Sequence, residues 1–238
     1  MNPGPGSAAS ARNFGAAKAA GQVLFFLDDD DRMVPGYPAA MLAELTRQPG
    51  LVWGHSAIRT VAVRPRAALP PRRFCAGKSS AALPFRRRLA GLGCGFWILR
   101  DRLLALGGIA EDLPVNEDTD LSVRLIASGA PAWFCEEPGV EVLLHGAAGQ
   151  GGGAGQITKR TDPAIRATCF ETILRRNAGF FAANPAARRF IRQRLLKMIA
   201  KSGDRDRGRA AIAAEPQALH RLRLAVYFRA NLWLYRLR

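Results

Sequence analysis

The chain has 238 residues and a formal charge of +16, from 35 Lys and Arg against 19 Asp and Glu. Its 48% hydrophobic content excludes disorder throughout, and the length supports one substantial domain or a domain with a helical appendage. A charge of this sign favours nucleic acid, an anionic membrane surface or a phosphate-bearing substrate as partner, although an Arg-, Ala- and Gly-rich composition also arises from genomic bias with no polyanion involved.

Residues 1–9 are Pro, Gly, Ser and Ala and read as a flexible start. The segment ARNFGAAKAA, residues 11–20, predicts a short helix stopped by Gly21. The run QVLFFL then predicts a central strand buried on both faces of a sheet covered by helices. That strand ends in Asp28, Asp29, Asp30 and Asp31, at the edge where ligands bind in open α/β sheets. Pro35 or Pro38 starts a helix through PAAMLAELTRQ, and GLVWGHSAIRTVAV follows as one or two strands. Residues 64–91, rich in proline and arginine, read as a long surface excursion.

A strand is expected over CGFWILR from Cys94, then a short helix ended by Gly107 and Gly108. NEDTDLSVRLIASG predicts a helix over 117–128, with acids in its first turns, Leu121, Leu125 and Ile126 inward, and Gly129 as its stop. AWFCEEPGVEVLLHG reads as short strands around a turn, and the Gly-rich AAGQGGGAGQITKR as a linker or lid. The rest is helical: Ile191, Leu195 and Met198 share one face, and Leu222, Val226 and Trp233 share another amid arginines. Such helices usually pack on their own domain, but a Trp- and Arg-bearing amphipathic helix also suits a membrane interface. Three segments are therefore expected: 1–9, an α/β domain over 10–160, and a basic helical region over 161–238.

Cys75, Cys94, Cys135 and Cys169 form no CxxC pair, which points to reduced, mostly buried thiols rather than a zinc or redox site. The N-terminus lacks the apolar core of a signal peptide and no stretch approaches the length of a spanning helix, so the cytoplasm is the expected compartment.

Four adjacent aspartates need a counter-charge, since like charges on neighbouring residues repel and are not buried unpaired. A divalent cation is the economical one: Mg²⁺ or Mn²⁺ takes carboxylate oxygens, keeps positions for water and phosphate, and neutralises a diphosphate leaving group. The alternative is a solvated turn capping the next helix. A second acidic cluster, Glu117, Asp118 and Asp120, opens the later helix.

Taken together, ARNFGAAKAAGQVLFFLDDDDRMVPG and CGFWILRDRLLALGGIAEDLPVNEDTDLSVRLIASG resemble the family 2 glycosyltransferases. The resemblance implies an α/β fold, a partial GT-A arrangement of a mixed sheet flanked by helices, with a helical C-terminal region. It also implies inverting transfer of a sugar from a nucleotide-diphosphate sugar, with Mn²⁺ or Mg²⁺ as cofactor. Carried over residue by residue, Arg12, Asn13, Asp28 and Arg124 fall on donor and diphosphate positions. Asp30 and Asp28 fall on the metal pair, Gly95 and Phe96 border the acceptor pocket, and Asp118 of the Glu117-Asp118 pair stands where the family keeps its base. His145 resembles a histidine that faces the metal or diphosphate in some members. Lys78, Arg86, Arg87 and Arg88 are further candidates for gripping a diphosphate or anionic acceptor.

The family opens with a strand and helix units that hold the base, and only ten residues precede Ala11 here; the nucleotide-binding portion is therefore expected to be missing. An inactive remnant with a structural or membrane-peripheral role is the alternative. Nucleic-acid binding is disfavoured, because the aromatics lie in apolar runs rather than between basic residues. A saccharide, lipid-linked or cell-envelope acceptor is compatible with the basic surface and amphipathic tail.

Overall fold

The computed structural model describes residues 6–62, 74, 77–79, 83–144 and 161–236. Its backbone divides into two compact units, one of residues 1–112 and 117–155, the other of 113–116 and 156–238.

The first unit is built on one mixed sheet. Its strands are β1 (Val23–Phe25), β2 (Arg32–Met33), β3 (Trp53–Ala62), β4 (Lys78–Ser79), β5 (Trp97–Leu99) and β6 (Ala132–Leu144). They run in the order β1-β5-β3-β6-β2, with β4 also paired to β6. β3 and β6 are parallel and the other pairs antiparallel. The expected mixed sheet flanked by helices, with a helical C-terminal stretch, is thus the observed one.

Side-chain alternation explains why β1 and β5 are apolar on consecutive residues. Phe96 and Ile98 pack with Leu24 and Phe26 against one helical layer: α1 (Ala8–Lys18), α4 (Arg100–Ala105) and α5 (Glu117–Ala127). Trp97 turns to the other face with Val23 and Phe25, where α2 (Tyr37–Arg47) contributes Tyr37 and Met41. Two covered faces account for the apolar run that predicts a central strand. β1 nevertheless ends the sheet order among the described residues, bonded on one side by β5 and half-buried throughout. Apolar runs report burial of the faces, not the number of neighbouring strands.

Three further expectations are revised. α1 begins at Ala8, inside the stretch expected to be flexible, because the Ser7 hydroxyl accepts from the Ser10 amide at 3.1 Å and caps it. Residues 132–144 form one strand rather than two around a turn. The register against β3 slips at Ser56–Ile58, where Glu136, Glu137 and Gly139 are absorbed as bulges, so Pro138 and Gly139 bend a strand instead of ending it. Within the expected surface excursion, Leu83 and Ala90 are buried and Phe74 packs on Tyr37, with ring centroids 5.5 Å apart. The Gly-rich segment and Cys75 lie outside the described residues, while Cys94, Cys135 and Cys169 are in the thiol form.

On β3, His55 is 5% exposed, with its ring centroid 4.9 Å from that of Phe134 and 6.2 Å from that of Trp53. Burial among these rings pushes its pKa down to about 4, only partly offset by a backbone hydrogen bond at Ser56. An unfolded chain protonates this imidazole near its ordinary value of about 6.5, so the stability is present above that pH and is lost as pH falls through about 4. Between pH 7 and 4.5 this one group is expected to remove about 2–3 kcal/mol. Urea titrations at the two pH values check it: His55→Leu should show a smaller pH-dependent loss than the parent chain.

The second unit is helical: α6 (Pro163–Arg176), α7 (Ala178–Ala183), α8 (Pro185–Ser202), α9 (Arg205–Ala213) and α10 (Ala218–Arg236). Asp162 caps α6, accepting from the Ala164 amide at 2.6 Å, with Pro163 in the first turn. Ile191, Leu195 and Met198 of α8 are buried as their spacing predicts. α10 departs from expectation: Leu224, Phe228 and Asn231 face inward, whereas Leu222, Val226 and Trp233 are about 60% exposed (63%, 60% and 63%). The helix carries apolar residues on two faces, and packing uses the narrower one. No helix among the described residues is long and apolar enough to cross a membrane.

Between α9 and α10, the Glu215 side chain is fully buried and paired with Arg188 at 3.0 Å and Arg192 at 3.1 Å. Burial alone would raise its pKa, but the hydrogen bond and charge of Arg188, joined by Arg192, hold the carboxyl below its usual range.

Candidate active site

Arg12 is the side chain that joins the two acidic clusters. It sits in the middle of α1, whose Ala9 and Ala16 pack into the sheet, and its guanidinium reaches two elements. Nη2 donates to Asp28 Oδ1 at 2.7 Å and Nη1 donates to Glu117 Oε1 at 3.1 Å. The end of β1 and the start of α5, far apart in sequence, are thereby held against one cation. Part of the counter-charge that the aspartate run requires is therefore an arginine of the chain itself.

Between these acids runs the turn Gly91–Gly95, closed by the Cys94 amide donating to Gly91 O at 3.0 Å. A Cβ on Gly93 would strike the Asp28 carboxylate, and one on Gly91 would lie 3.6 Å from Asp118 Oδ2 and 3.1 Å from Cys94 Sγ. Any side chain at Gly93 would displace Asp28. Gly95 has φ +62°, and a Cβ there would meet the Ser56 hydroxyl, so the turn requires glycine on both counts. It is pinned by buried Tyr37, whose hydroxyl donates to Gly95 O at 2.5 Å. Burial, then the negative charges of Asp118, Asp28 and Asp31, push the Cys94 thiol up to about 11, which leaves it protonated and inert as a nucleophile at neutral pH.

At the start of α5, Asp118 Oδ1 accepts from the Thr119 amide at 2.5 Å and from its hydroxyl at 3.2 Å. Those bonds fix the carboxylate while Oδ2 faces the Gly91–Cys94 turn. Burial and the neighbouring charge of Asp118 raise the Glu117 pKa against the pull of Arg12. Two adjacent carboxylates thus differ in setting: one lies under a guanidinium, and the other is oriented by its own helix terminus.

Asp28, Arg12, Glu117, Asp118 and Gly95 come together around this turn. Several candidates are placed otherwise. Arg124 donates at 2.8 Å each to fully buried Asp120, Leu106 O and Gly108 O, and so clamps α5 to the turn after α4. Asn13 likewise exchanges hydrogen bonds with Ile109, its Nδ2 donating to Ile109 O and its Oδ1 accepting from the Ile109 amide, both at 2.8 Å, and Nδ2 also reaches Glu111. Phe96 is fully buried, with ring centroids 5.9 Å from Phe26 and 5.8 Å from Trp53, so only its backbone is available to a pocket. Asp29 and Asp30 are exposed at the turn after Asp28. Arg86 and Arg87 are exposed on the single-turn helix α3 (Phe85–Arg88), and Lys78 stands on β4 opposite Phe134. His145 lies outside the described residues. Sequence reasoning passed over Gly91, Gly93, Cys94 and Tyr37; the G-L-G-C-G spacing before an apolar strand was the available signal.

Residues 3–102 match the family described as Glycosyl transferase family 2, a span that holds α1, the aspartates and the Gly91–Gly95 turn but stops short of Glu117 and Asp118. No curated protein sequence matches the chain. Among solved structures it is similar to S. aureus TarS, at 15% identity and a TM-score of 0.55 over 97% of this chain and 42% of that one. It is also similar to TarS 1–349 in complex with UDP, at 15% identity and a TM-score of 0.54 over 97% of this chain and 69% of that one. TarS 1–349 in complex with UDP-GlcNAc aligns at 13% identity and a TM-score of 0.51 over 95% of this chain and 62% of that one. The chain thus spans 42% to 69% of the length of these structures, and the likeness is one of fold.

Proposed function

We propose that the chain is an inverting glycosyltransferase that moves a sugar from a nucleotide-diphosphate sugar to an acceptor hydroxyl, with Asp118 as the base. The observation that carries this reading is Arg12 binding Asp28 and Glu117 at once, which gathers the strand-end acids, the glycine turn and the helix-start acids into one site. The family match over residues 3–102 and the likeness to structures solved with UDP and UDP-GlcNAc point the same way.

In this reading Asp118 Oδ2 takes the proton of the acceptor hydroxyl as its oxygen attacks the anomeric carbon, while the bond to the nucleotide diphosphate breaks on the opposite face. Arg12 keeps Asp28 and the start of α5 in register, and Tyr37 keeps the Gly91–Gly95 turn clear of both. Among the described residues no three Asp, Glu, His or Cys groups form a metal cage by themselves. Two carboxylates that follow β1, Asp28 and Asp30, are a donor set of the kind Mg²⁺ or Mn²⁺ uses, since such an ion binds through one or two carboxylates and completes its shell with substrate phosphate and water. Asp28, through the oxygen Arg12 does not take, and Asp30 would hold it; bound there, it would neutralise charge on the departing diphosphate. The acceptor proposed is a lipid-linked or cell-envelope saccharide, met on the cytoplasmic side of the membrane.

Turnover of a panel of nucleotide-diphosphate sugars, with and without Mn²⁺, tests the reading. Metal-dependent transfer or hydrolysis that falls about 10²-fold or more in Asp30→Ala is expected, by analogy with losing one electrostatic contact to a developing negative charge. Activity that ignores both the metal and Asp30→Ala removes the metal assignment, and a folded chain that neither binds nor turns over any such donor overturns the whole proposal.

A further inference from the structure

α10 presents a face that its own unit leaves uncovered. Leu219, Leu222, Val226 and Trp233, at spacings of three, four and seven, line up along the helix and are 59–63% exposed. Exposed Arg229 and Arg236 border this stripe on one side and exposed Arg223 on the other. Next to it, a groove of about 510 Å³ runs between α9 and α10. Its floor includes Ile212, Phe228 and Leu232, and its rim carries Arg205, Arg209, Arg229 and Arg236.

We propose that this face is an interfacial lipid-binding surface that lays α10 on an anionic phospholipid bilayer, the stripe entering the headgroup boundary and the arginine-rimmed groove receiving lipid phosphates. It deepens the placement of the proposed glycosyltransferase at the membrane and rests on that reading for location only. The charge pattern selects the occupant. A second copy docking stripe to stripe would bring two arginine borders together, whereas a bilayer carrying phosphatidylglycerol or a similar lipid supplies phosphates at the level where the guanidiniums lie. Aliphatic Leu219, Leu222 and Val226 gain nothing from a nucleic acid, which offers flat bases and a hydrated backbone. Trp233 suits the boundary itself, with an apolar ring and one N–H donor.

Three of the four tryptophans, Trp53, Trp97 and Trp133, are at most 7% exposed, so Trp233 supplies the solvent-sensitive fluorescence. The full chain, with no nucleotide sugar present, is mixed with vesicles of phosphatidylcholine alone or of phosphatidylcholine with phosphatidylglycerol. Expected are co-sedimentation with the mixed vesicles only, weakened by salt, and a blue shift of tryptophan emission. Val226→Glu, and separately Arg229→Glu with Arg236→Glu, should each weaken binding about tenfold or more while far-UV circular dichroism is unchanged. Asp118→Asn should bind vesicles like the parent, so loss of sugar transfer does not bear on this result. The proposal is overturned by a folded chain that ignores the mixed vesicles, by equal binding to both vesicle types, by binding that survives Val226→Glu, or by self-association abolished by Val226→Glu without vesicle binding.

Discussion

Asp118→Asn is expected to lower the rate of sugar transfer by about 10²–10⁴-fold, the usual worth of a positioned general base, while leaving the fold intact. The amide keeps an oxygen for the Thr119 N–H, whose 2.5 Å bond holds Oδ1, and α5 retains its other first-turn acids. What it loses is the basic oxygen facing the Gly91–Cys94 turn. In the proposed mechanism that oxygen takes a proton only as the new bond forms, so kcat and kcat/KM should fall together and the donor KM should hardly move. Glu117→Gln makes the contrast: its amide oxygen still accepts from Arg12, so the site keeps its geometry and the rate should fall far less. Steady-state kinetics of both variants against one donor, with urea midpoints as the control for folding, decide the matter. A fall in Glu117→Gln as deep as in Asp118→Asn would mean that the pair shares the proton and that the assignment to Asp118 alone is wrong.

The site was legible where chemistry needs a residue type that has no cheaper use. Four aspartates after an apolar strand demand a partner, and acids at a helix start demand a reason, so both clusters were visible in the sequence. Their joining was not, because nothing in the string shows that the guanidinium of Arg12 spans from Asp28 to Glu117. Arginines and asparagines are harder to read for the opposite reason: they bond well within the fold itself. Arg124 saturates itself on Leu106 O, Gly108 O and Asp120, and Asn13 on Ile109, so motif matches at these positions mark fixed loops as readily as ligands.

Fold legibility followed periodicity. The α5 helix and the buried face of α8 came through because one face of each is buried and the caps or spacing agree. Residues 132–144 did not, since Pro138 and Gly139 are turn residues by local preference and only pairing with β3 keeps them in a strand. In α10 the inward set of Leu224 and Phe228 is a minority of the apolar residues, so the larger face pointed outward against expectation. A helix that exposes its wider apolar face is evidence for a further surface to cover.

Glu215→Ala is expected to destabilise the helical unit by about 3–5 kcal/mol, the cost of removing one partner of a buried ion pair and stranding the others. Arg188 and Arg192 of α8 would then face each other across the vacated carboxylate site, their charges uncancelled in a region from which water is largely excluded. Arg192 already carries a pKa lowered by burial, with Glu215 supplying the opposing pull, so it is the residue most exposed to that loss. Total stabilities of domains are about 5–15 kcal/mol, and a change of this size should shift the urea transition of the helical signal strongly or abolish it. Glu215→Gln keeps the volume and an acceptor for Arg188 but not the charge, and should lie between the two. The pH dependence has a definite sign: a carboxyl held below its unfolded value stabilises at neutral pH and ceases to do so as pH falls through its folded value. The parent should therefore lose helical stability on acidification and Glu215→Gln should lose less of it. If both variants unfold with the parent midpoint, Glu215 does not tie α8 to the α9–α10 junction. The lipid-facing side of α10 would then take its orientation from Leu224 and Phe228 alone.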